Sequence, residues 1–291
     1  MNELMDRSSS PESDPDAPFN VSASLAPPRD IKSAGTTTTT FDGLLQVPLL
    51  LKEDLKNGCG GQLWPAGMVL SKHVREISVG IPPERCPTIT SDKPCGFSYI
   101  LHPSGNLTNK TPCSVELGAG GGLVGLAVAR GCEVGMPIHI TDQIPMFELM
   151  KDNIALNNLS SAVVASILDW GEPIPSHIPS KPDIILAADC VYFEPAFPLL
   201  IATLHDLLGP NSVCYFCYKR RRRADLRFMK MAKKAFDVQE IRDDPNAAEY
   251  SRESLYLYTI RLKPTKQPTT LTPISPPAES TRSETDAEKG Q

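Results

Sequence analysis

The residues with the clearest capacity for chemistry form one glycine-rich segment, Glu116-Leu117-Gly118-Ala119-Gly120-Gly121-Gly122-Leu123-Val124-Gly125. Closely spaced glycines between a strand and a helix allow a ligand to lie against bare backbone at the helix N-terminus. A purely structural turn that needs positive φ angles also selects glycine. The glycines alone therefore do not distinguish a ligand-binding turn from a structural one. The surrounding residues must decide between a ligand-binding turn and a structural one.

An acidic residue closes the next predicted strand. Asp142 follows the β-rich run Ile138–Thr141. An acid at that point is placed to accept hydrogen bonds from the two hydroxyls of a ribose. The pair of features predicts an adenosine-containing ligand, and it leaves both dinucleotides and S-adenosylmethionine open.

Two further features favour S-adenosylmethionine. Glu116 precedes the glycines, and a carboxylate there suits a ligand with a positively charged amino-acid end better than a pyrophosphate. Asp169-Trp170 follows the third predicted strand and places an acceptor and an aromatic ring where an adenine could lie. Singly, Asp169 is typical of a turn and Trp170 of a core aromatic, but together they favour an adenine site.

These residues must be positioned by a regular alternation of strands and helices. The sequence predicts strands at 114–117, 138–141, 163–168, 183–188 and 213–218, and helices at 67–77, 123–130, 147–156, 195–208 and 224–236. Such alternation requires a parallel sheet covered by helices on both faces. Two last strands, 238–241 and 255–262, have no predicted helix between them and should pair antiparallel. A β-ribbon is predicted at 41–51.

Composition divides the 291 residues into three parts. Residues 1–40 and 263–291 are dominated by Ser, Thr, Pro and acidic residues, and this composition predicts disordered tails. The remaining 41–262 is a suitable size for one folded domain, with 82–112 as a long loop or insertion. No apolar run approaches the ~18–20 residues needed to cross a bilayer, and no signal peptide is predicted. The irregularly spaced cysteines indicate a reducing compartment, cytosol or nucleus.

Charge is distributed unevenly. The net charge is −5, yet nine basic residues lie between Lys219 and Lys234, and the rest of the core is acidic. A globally basic nucleic-acid binder is therefore disfavoured. The run Lys219 to Arg223 could be a nuclear localisation signal, a nucleic-acid patch or a solvated loop. Because it follows the fifth strand of the sheet, we favour docking of an acidic surface on a protein substrate.

No metal site is predicted. Cys214 and Cys217 are three residues apart within one strand, so their side chains should point to opposite faces of the sheet. The five histidines are scattered along the chain. Neither pattern supplies a set of ligands with the spacing of a metal centre.

At the level of whole motifs, the sequence resembles the seven-strand protein-lysine methyltransferases related to the methyltransferase-like 21 group. The matching motifs, in order, are Leu63-Trp64-Pro65-Ala66-Gly67-Met68-Val69-Leu70, Glu116-Leu117-Gly118-Ala119-Gly120, Asp142, Asp169-Trp170 and Asp189-Cys190-Val191-Tyr192. The resemblance covers roughly 62–75 and 114–262. Within the group, the segment 217–228 most resembles fungal enzymes that methylate a lysine of translation elongation factor 1-alpha.

The resemblance implies a class I, Rossmann-like methyltransferase fold with an antiparallel last strand, and S-adenosylmethionine as cofactor. Of the two reducing compartments that the cysteines indicate, we expect the cytoplasm. The resemblance implies cofactor contacts from Trp64, Gly118, Ala119, Gly120, Asp142, Trp170 and Ala188, and the residue patterns described above add Glu116 and Asp169 to the predicted cofactor site. It also implies Asp189 and Tyr192 as catalytic residues. The loop reads Gly121-Gly122 where relatives often have Thr-Gly, and the 82–112 segment is longer than the family expectation.

We interpret Asp189 as the group that attracts and orients the incoming lysine ammonium, with Tyr192 forming a wall of the channel. Alternative substrates are another protein, such as a chaperone, or RNA. RNA base-amine methylases commonly carry prolines in the motif after the fourth strand, and Asp189-Cys190-Val191-Tyr192 has none. A third alternative is an adaptor that binds S-adenosylmethionine without catalysis.

Overall fold

The computed structural model describes residues 35–55, 59–79, 112–132, 134 and 136–264. The strands are β1 Thr36–Thr39, β2 Leu49–Lys52, β3 Ser114–Leu117, β4 Ile138–Asp142, β5 Val163–Ile167, β6 Ile184–Ala188, β7 Val213–Lys219, β8 Asp237–Glu240 and β9 Leu255–Arg261. The helices are α1 Pro65–Val79, α2 Leu123–Gly131, α3 Ile144–Leu156, α4 Phe197–Leu207, α5 Arg223–Ala235 and α6 Ala247–Arg252. Short 3₁₀ turns lie at Cys59–Gly61 and Glu194–Ala196.

A seven-stranded sheet forms the centre, with strand order β5-β4-β3-β6-β7-β9-β8. Strands β3 to β7 pair in parallel, and β9 lies antiparallel between β7 and β8. Leu117 of β3 lies opposite Thr141 of β4 and Ala187 of β6. The residues that follow these three strands therefore meet at one edge of the sheet, which is where parallel α/β sheets bind ligands.

Each face of the sheet has its own core. Ile184 and Leu186 of β6 pack with α1, α2 and α3 on one face, while Ile185 and Ala187 pack with α4 and α5 on the other. This alternation follows from the two-residue period of a strand. Cys217 belongs to the first core and Cys214 to the second, so the prediction that these two thiols point to opposite faces is confirmed.

Helix α5 shows why a basic segment still folds as part of the core. Phe228, Met229 and Ala232 are buried on one side, and the lysines at 230, 233 and 234 are exposed on the other. Asp225, in the first turn, accepts the Arg222 N–H at 2.9 Å and so caps the helix N-terminus. The helix thus presents its positive charge to solvent while it closes the second core.

The predicted elements from residue 114 onward are confirmed within a few residues, with one correction. A short helix, α6, lies between β8 and β9, where none was predicted. Tyr250 of α6 is buried in the first core. The two strands pair antiparallel as predicted, with Val238 opposite Ile260.

The predicted β-ribbon is present but displaced. Its first strand is β1, within the range 1–40 that composition places in the tail, and Phe41–Leu44 is a turn rather than a strand. Thr36 pairs with Lys52 and Thr39 with Leu49. Residues 36–39 therefore belong to the folded domain.

The ribbon is held against α3 by two amide side chains. Asn153 accepts the Lys52 N–H at 2.7 Å and donates to the Gly121 carbonyl at 2.9 Å. Asn157 accepts the Leu50 N–H at 3.0 Å and donates to the Leu50 carbonyl at 2.6 Å. These hydrogen bonds join β2 to α3. Through Gly121, they also join the ribbon to the glycine turn.

Within the described ranges, no helix has the length and apolar character that a bilayer crossing demands. The proposed tails lie outside the described residues apart from 35–40 and 263–264, and the 82–112 segment does so apart from Pro112.

Candidate active site

Two positions in the glycine turn after β3 require glycine, because neighbouring atoms lie too close for a side chain. Gly118 and Gly120 have φ angles of +59° and +56°, in the left-handed region. A Cβ on Gly118 would lie 3.0 Å from the Trp170 ring, and a Cβ on Gly120 would lie 2.2 Å from the Gly60 carbonyl oxygen. The turn is therefore packed from both sides by segments that the sequence alone does not place there.

Asp142 at the end of β4 is joined to this turn. Its carboxylate accepts the Gly120 N–H at 2.7 Å and the Gln143 N–H at 2.7 Å. Desolvation by burial raises the pKa of Asp142, and the nearby charge of Asp169 adds to that rise. The predicted ribose acceptor thus lies within hydrogen-bonding distance of the glycine turn, and Asp169 lies close by.

Trp170 lies where the sequence places an adenine wall. It is half-buried after β5, and its ring edge covers Gly118. The next residue, Gly171, donates its N–H to the Thr203 hydroxyl at 2.8 Å, which fixes the backbone on α4. The indole therefore borders the same crevice as the glycine turn and Asp142.

Glu116 does not face that crevice, and this corrects the interpretation that it meets the positively charged end of a ligand. Its side chain is buried, with 2% of the residue exposed, beneath the first turn of α2. Its carboxylate accepts the N–H groups of Val124 at 3.3 Å and Gly125 at 2.7 Å. Its role is to satisfy helix N–H groups that would otherwise lack partners.

Burial raises the pKa of Glu116 to about 8, while the two backbone hydrogen bonds oppose the rise. The unfolded chain releases this proton near pH 4.5, the ordinary value. Between these pH values the folded state binds more protons than the unfolded state. The contribution of Glu116 to stability is therefore retained below pH 4.5 and lost progressively as the pH rises to about 8.

We expect Glu116→Gln to remove this pH dependence, because the amide does not titrate. The free energy of unfolding, measured by denaturant titration from pH 5 to pH 9, should fall more steeply in the wild type, by up to about 1.4 kcal/mol per pH unit. Above about pH 8 the two curves should run parallel. Curves that are parallel across the whole range would show that Glu116 titrates normally.

The segment before α1 reaches over the same edge of the sheet. Gly60 contacts Gly120, and the Trp64 carbonyl accepts the Gly67 N–H at 3.0 Å to begin α1. A Cβ on Gly67 would lie 4.0 Å from the Ala188 side chain at the end of β6. Ala188 at the end of β6 and the Trp64 backbone therefore both lie beside the start of α1, and their contacts with the cofactor stay predictions.

Asp189 follows β6 with a φ of +56°, a conformation that L residues rarely adopt. Only 7% of it is exposed. Its carboxylate accepts both terminal guanidinium nitrogens of Arg221, at 2.9 and 2.6 Å, and the Lys219 N–H at 3.2 Å. The acid predicted to receive a lysine is therefore already paired with a cation of the chain.

Tyr192 lies near Asp189 and is 53% exposed. Its carbonyl accepts a hydrogen bond from the Arg222 side chain. The neighbouring Phe193 is 51% exposed. Two large aromatic side chains thus stand on the surface beside a buried acid, an arrangement suited to receiving a long side chain from another molecule.

Three residues of this region escape prediction from sequence. Gly60 and Asn153 act through long-range contacts with the glycine turn, and only the amide spacing Asn153–Asn157 on one helix face hints at a shared partner. Arg221 is one of four consecutive arginines. Nothing in that run distinguishes the arginine that turns inward from those that do not.

The strand order, the glycine turn, the acid after β4 and the indole after β5 together define a class I, S-adenosylmethionine-dependent methyltransferase fold. Residues 44–235 match the family model described as lysine methyltransferase. The chain belongs to this lysine methyltransferase family.

Three curated relatives illustrate the match. The chain is 34% identical over 258 residues to "Protein-lysine N-methyltransferase EFM6" of Saccharomyces cerevisiae, covering 83% of this chain and 97% of the yeast protein. It is 36% identical to mouse "Protein N-lysine methyltransferase METTL21A" over 46% of this chain and 62% of that protein. It is 39% identical to mouse "EEF1A lysine methyltransferase 3" over 37% of this chain and 45% of that protein. The predicted protein-lysine methyltransferase class is confirmed.

The residues fit S-adenosylmethionine on structural grounds as well. Bare glycine backbone, the Asp142 carboxylate and the Trp170 ring converge, and side chains larger than hydrogen at Gly118 and Gly120 would collide with their neighbours. Gly118 to Gly120 would lie along the amino-acid portion, Asp142 would accept from the ribose hydroxyls, and Trp170 would border the adenine. When bound, the cofactor supplies an electrophilic methyl group on a sulfonium.

Proposed function

We propose that this chain methylates a lysine side chain of translation elongation factor 1-alpha in the cytoplasm. One observation carries the lysine part of the proposal: Asp189, a buried acid, stands beside the exposed ring of Tyr192 at the cofactor edge of the sheet. The name of the mouse relative that contains "EEF1A" supports the choice of elongation factor. So does the resemblance of segment 217–228 to fungal enzymes of that specificity.

Methyl transfer needs an uncharged lysine amine in line with the bond between sulfur and methyl carbon. Bound S-adenosylmethionine would supply the methyl group: the lysine Nζ would bond to the methyl carbon as the bond from that carbon to sulfur breaks with its electron pair left on sulfur. The proton that the ammonium must lose would go to water. A free lysine with a pKa of about 10.4 is about 4.6 kcal/mol from neutral at pH 7. Burial of the amine in the channel lowers that difference.

We assign orientation of the amine to Asp189 and enclosure of the lysine stem to Tyr192. A carboxylate oxygen of Asp189 can accept a hydrogen bond from the amine and so fix its direction. The Tyr192 ring presents an apolar wall and a face suited to a cation. Positioning of this kind supplies a large part of the rate in reactions that join two bound groups.

We also propose that part of the basic run, Lys219 to Arg223, docks an acidic surface of the protein substrate. The side chains of Arg221 and Arg222 already bond to Asp189 and to the Tyr192 carbonyl, so we assign this role to Arg220 and Arg223, which are both exposed after β7. The Arg220 guanidinium lies 5.1 Å from the Tyr256 ring centre, which holds it on the surface. A charge at this rim should affect encounter with the substrate more than the chemical step.

Incubation with labelled S-adenosylmethionine and purified elongation factor 1-alpha should label one lysine, identified by mass spectrometry. Neutralising Arg220 and Arg223 together should raise the KM for the protein substrate, by roughly tenfold, and leave calorimetric cofactor affinity unchanged. The same label given to a cytosolic extract shows whether another protein or RNA is modified instead. Labelling of a different band with the elongation factor untouched would refute the proposed substrate.

A further inference from the structure

We propose that Arg221 is a positioning residue for methyl transfer: it stays bound to Asp189 during the reaction and cancels the negative charge that would otherwise keep the target lysine protonated. This inference rests on the proposed function above. It replaces the interpretation that Asp189 acts as a free anion.

The pairing of Asp189 with Arg221 is close and sheltered. Two parallel hydrogen bonds, at 2.9 and 2.6 Å, join the carboxylate to the guanidinium. The Arg221 side chain is 25% exposed and the Asp189 side chain only 5%. The Trp64 ring centre lies 5.1 Å from the guanidinium carbon, with the guanidinium over the ring face. This fork geometry is the one in which arginine binds a carboxylate most specifically.

The backbone around Arg221 is fixed independently of that pair. The N–H groups of Arg221 and Arg222 both donate to the Asp225 carboxylate, at 2.8 and 2.9 Å, and Asp225 is fully buried. The Arg220 N–H donates to the Ser254 carbonyl at 2.8 Å. Withdrawal of Arg221 would leave a buried carboxylate without its cation, which is strongly unfavourable. We therefore expect the Arg221 guanidinium to stay bound to Asp189 during the reaction.

The consequence for a lysine in the channel is electrostatic. An unpaired carboxylate within a few ångströms raises the pKa of an amine and opposes the proton loss that transfer requires. A carboxylate already paired with Arg221 carries no net charge into the channel, yet its oxygens keep lone pairs that can accept an N–H. The pair orients the amine without holding it as ammonium.

No other titratable group described around Asp189 neutralises the negative charge of its carboxylate in place of Arg221. Cys190 follows Asp189 in the chain and Cys217 lies on the neighbouring strand β7, and burial raises the pKa of both thiols, so they stay uncharged. Lys219 contributes its N–H to Asp189, and Asp225 lies beyond Arg221 and adds negative charge. Arg221 is thus the cation in contact with the Asp189 carboxylate among the described residues.

The test is the pH dependence of kcat at saturating cofactor and protein substrate. Arg221→Gln should shift the ascending limb of the profile, on which the amine loses its proton, to higher pH by about one unit or more. This shift is roughly a tenfold loss at pH 7 that recovers at higher pH. Arg221→Lys should restore much of the wild-type profile. Lys230→Gln removes a positive charge from the exposed face of α5 and leaves Asp189 paired, so its pH profile should match the wild type. A loss in Arg221→Gln that is equal at every pH would overturn the proposal.

A second measurement reports on the pair without turnover. In a Trp170→Phe background, Trp64 is the remaining tryptophan. Adding Arg221→Gln should change its fluorescence emission, and adding Arg220→Gln should not. If the wild-type protein methylates no protein, both the proposed function and the role of Arg221 are wrong. If it does transfer methyl and the profiles of wild type and Arg221→Gln coincide, only the role of Arg221 fails.

Discussion

Replacing Asp189 with alanine should lower kcat by at least about 100-fold, while the affinity for S-adenosylmethionine measured by calorimetry stays within about threefold. Two effects combine. The oxygen that orients the amine disappears, and the guanidinium of Arg221 is left without its carboxylate beside the channel. A lone cation at that position repels the incoming ammonium and should therefore also raise the KM for the protein substrate.

Matched variants separate these effects from damage to the fold. Asp183→Asn changes an acid just before β6, at the opposite edge of the sheet, where its carboxylate accepts the Cys113 N–H at 2.9 Å. It should reduce stability and leave kcat unchanged. Asp189→Asn keeps an oxygen acceptor and should fall between wild type and alanine. Wild-type turnover by the alanine variant would show that Asp189 does not orient the substrate.

The parts of the site that the sequence predicts are those fixed by local geometry. A glycine turn at the end of a strand, an acid at the end of the next and an acid after the fourth all follow from short-range patterns, and the parallel sheet brings their ends together. Asp142 lies where that reasoning places it, bonded to the Gly120 N–H. The parallel topology alone predicts that residues at the carboxyl ends of adjacent strands are neighbours, even when no individual contact is known.

The parts that the sequence does not predict depend on contacts between distant segments. The position of Glu116 before the glycines is the same whether its side chain faces a ligand or the α2 N-terminus. Only the folded structure shows that the N–H groups of Val124 and Gly125 donate to its carboxylate. Arg221 is identical in type to its three neighbours, and its direction is set by Asp189 and Asp225, 32 and four positions away. Side-chain direction at such positions is a tertiary property.

The displaced ribbon has a different cause. Threonine is favoured in strands because it is β-branched, but five consecutive threonines beside a Ser- and Pro-rich stretch share the composition of a disordered tail. Pairing with β2, and the bonds of Asn153 and Asn157 to β2, supply the stabilisation that composition does not reveal. Pairing partners therefore determine where a marginal strand begins.

Gly120→Ala should reduce affinity for S-adenosylmethionine by at least about 100-fold, because the added methyl group cannot fit. Its Cβ would lie 2.2 Å from the Gly60 carbonyl oxygen, which is backbone and cannot rotate away. Either the turn or the Cys59–Gly61 segment must move, and the Gly120 N–H would lose its 2.7 Å bond to Asp142. A misplacement of about 1 Å in a binding site is enough for a loss of this size.

Gly43→Ala provides the control for backbone strain alone. Gly43 has a φ of +87°, yet nothing lies within 4 Å of a Cβ built there. It should lose about 1 kcal/mol of stability from the left-handed conformation and bind the cofactor as the wild type does. Calorimetry with S-adenosylmethionine and thermal unfolding of both variants distinguish the cases. Equal cofactor affinity in the two variants would mean that the contact between Gly60 and Gly120 does not shape the cofactor site, and that the crevice tolerates a looser turn than its packing indicates.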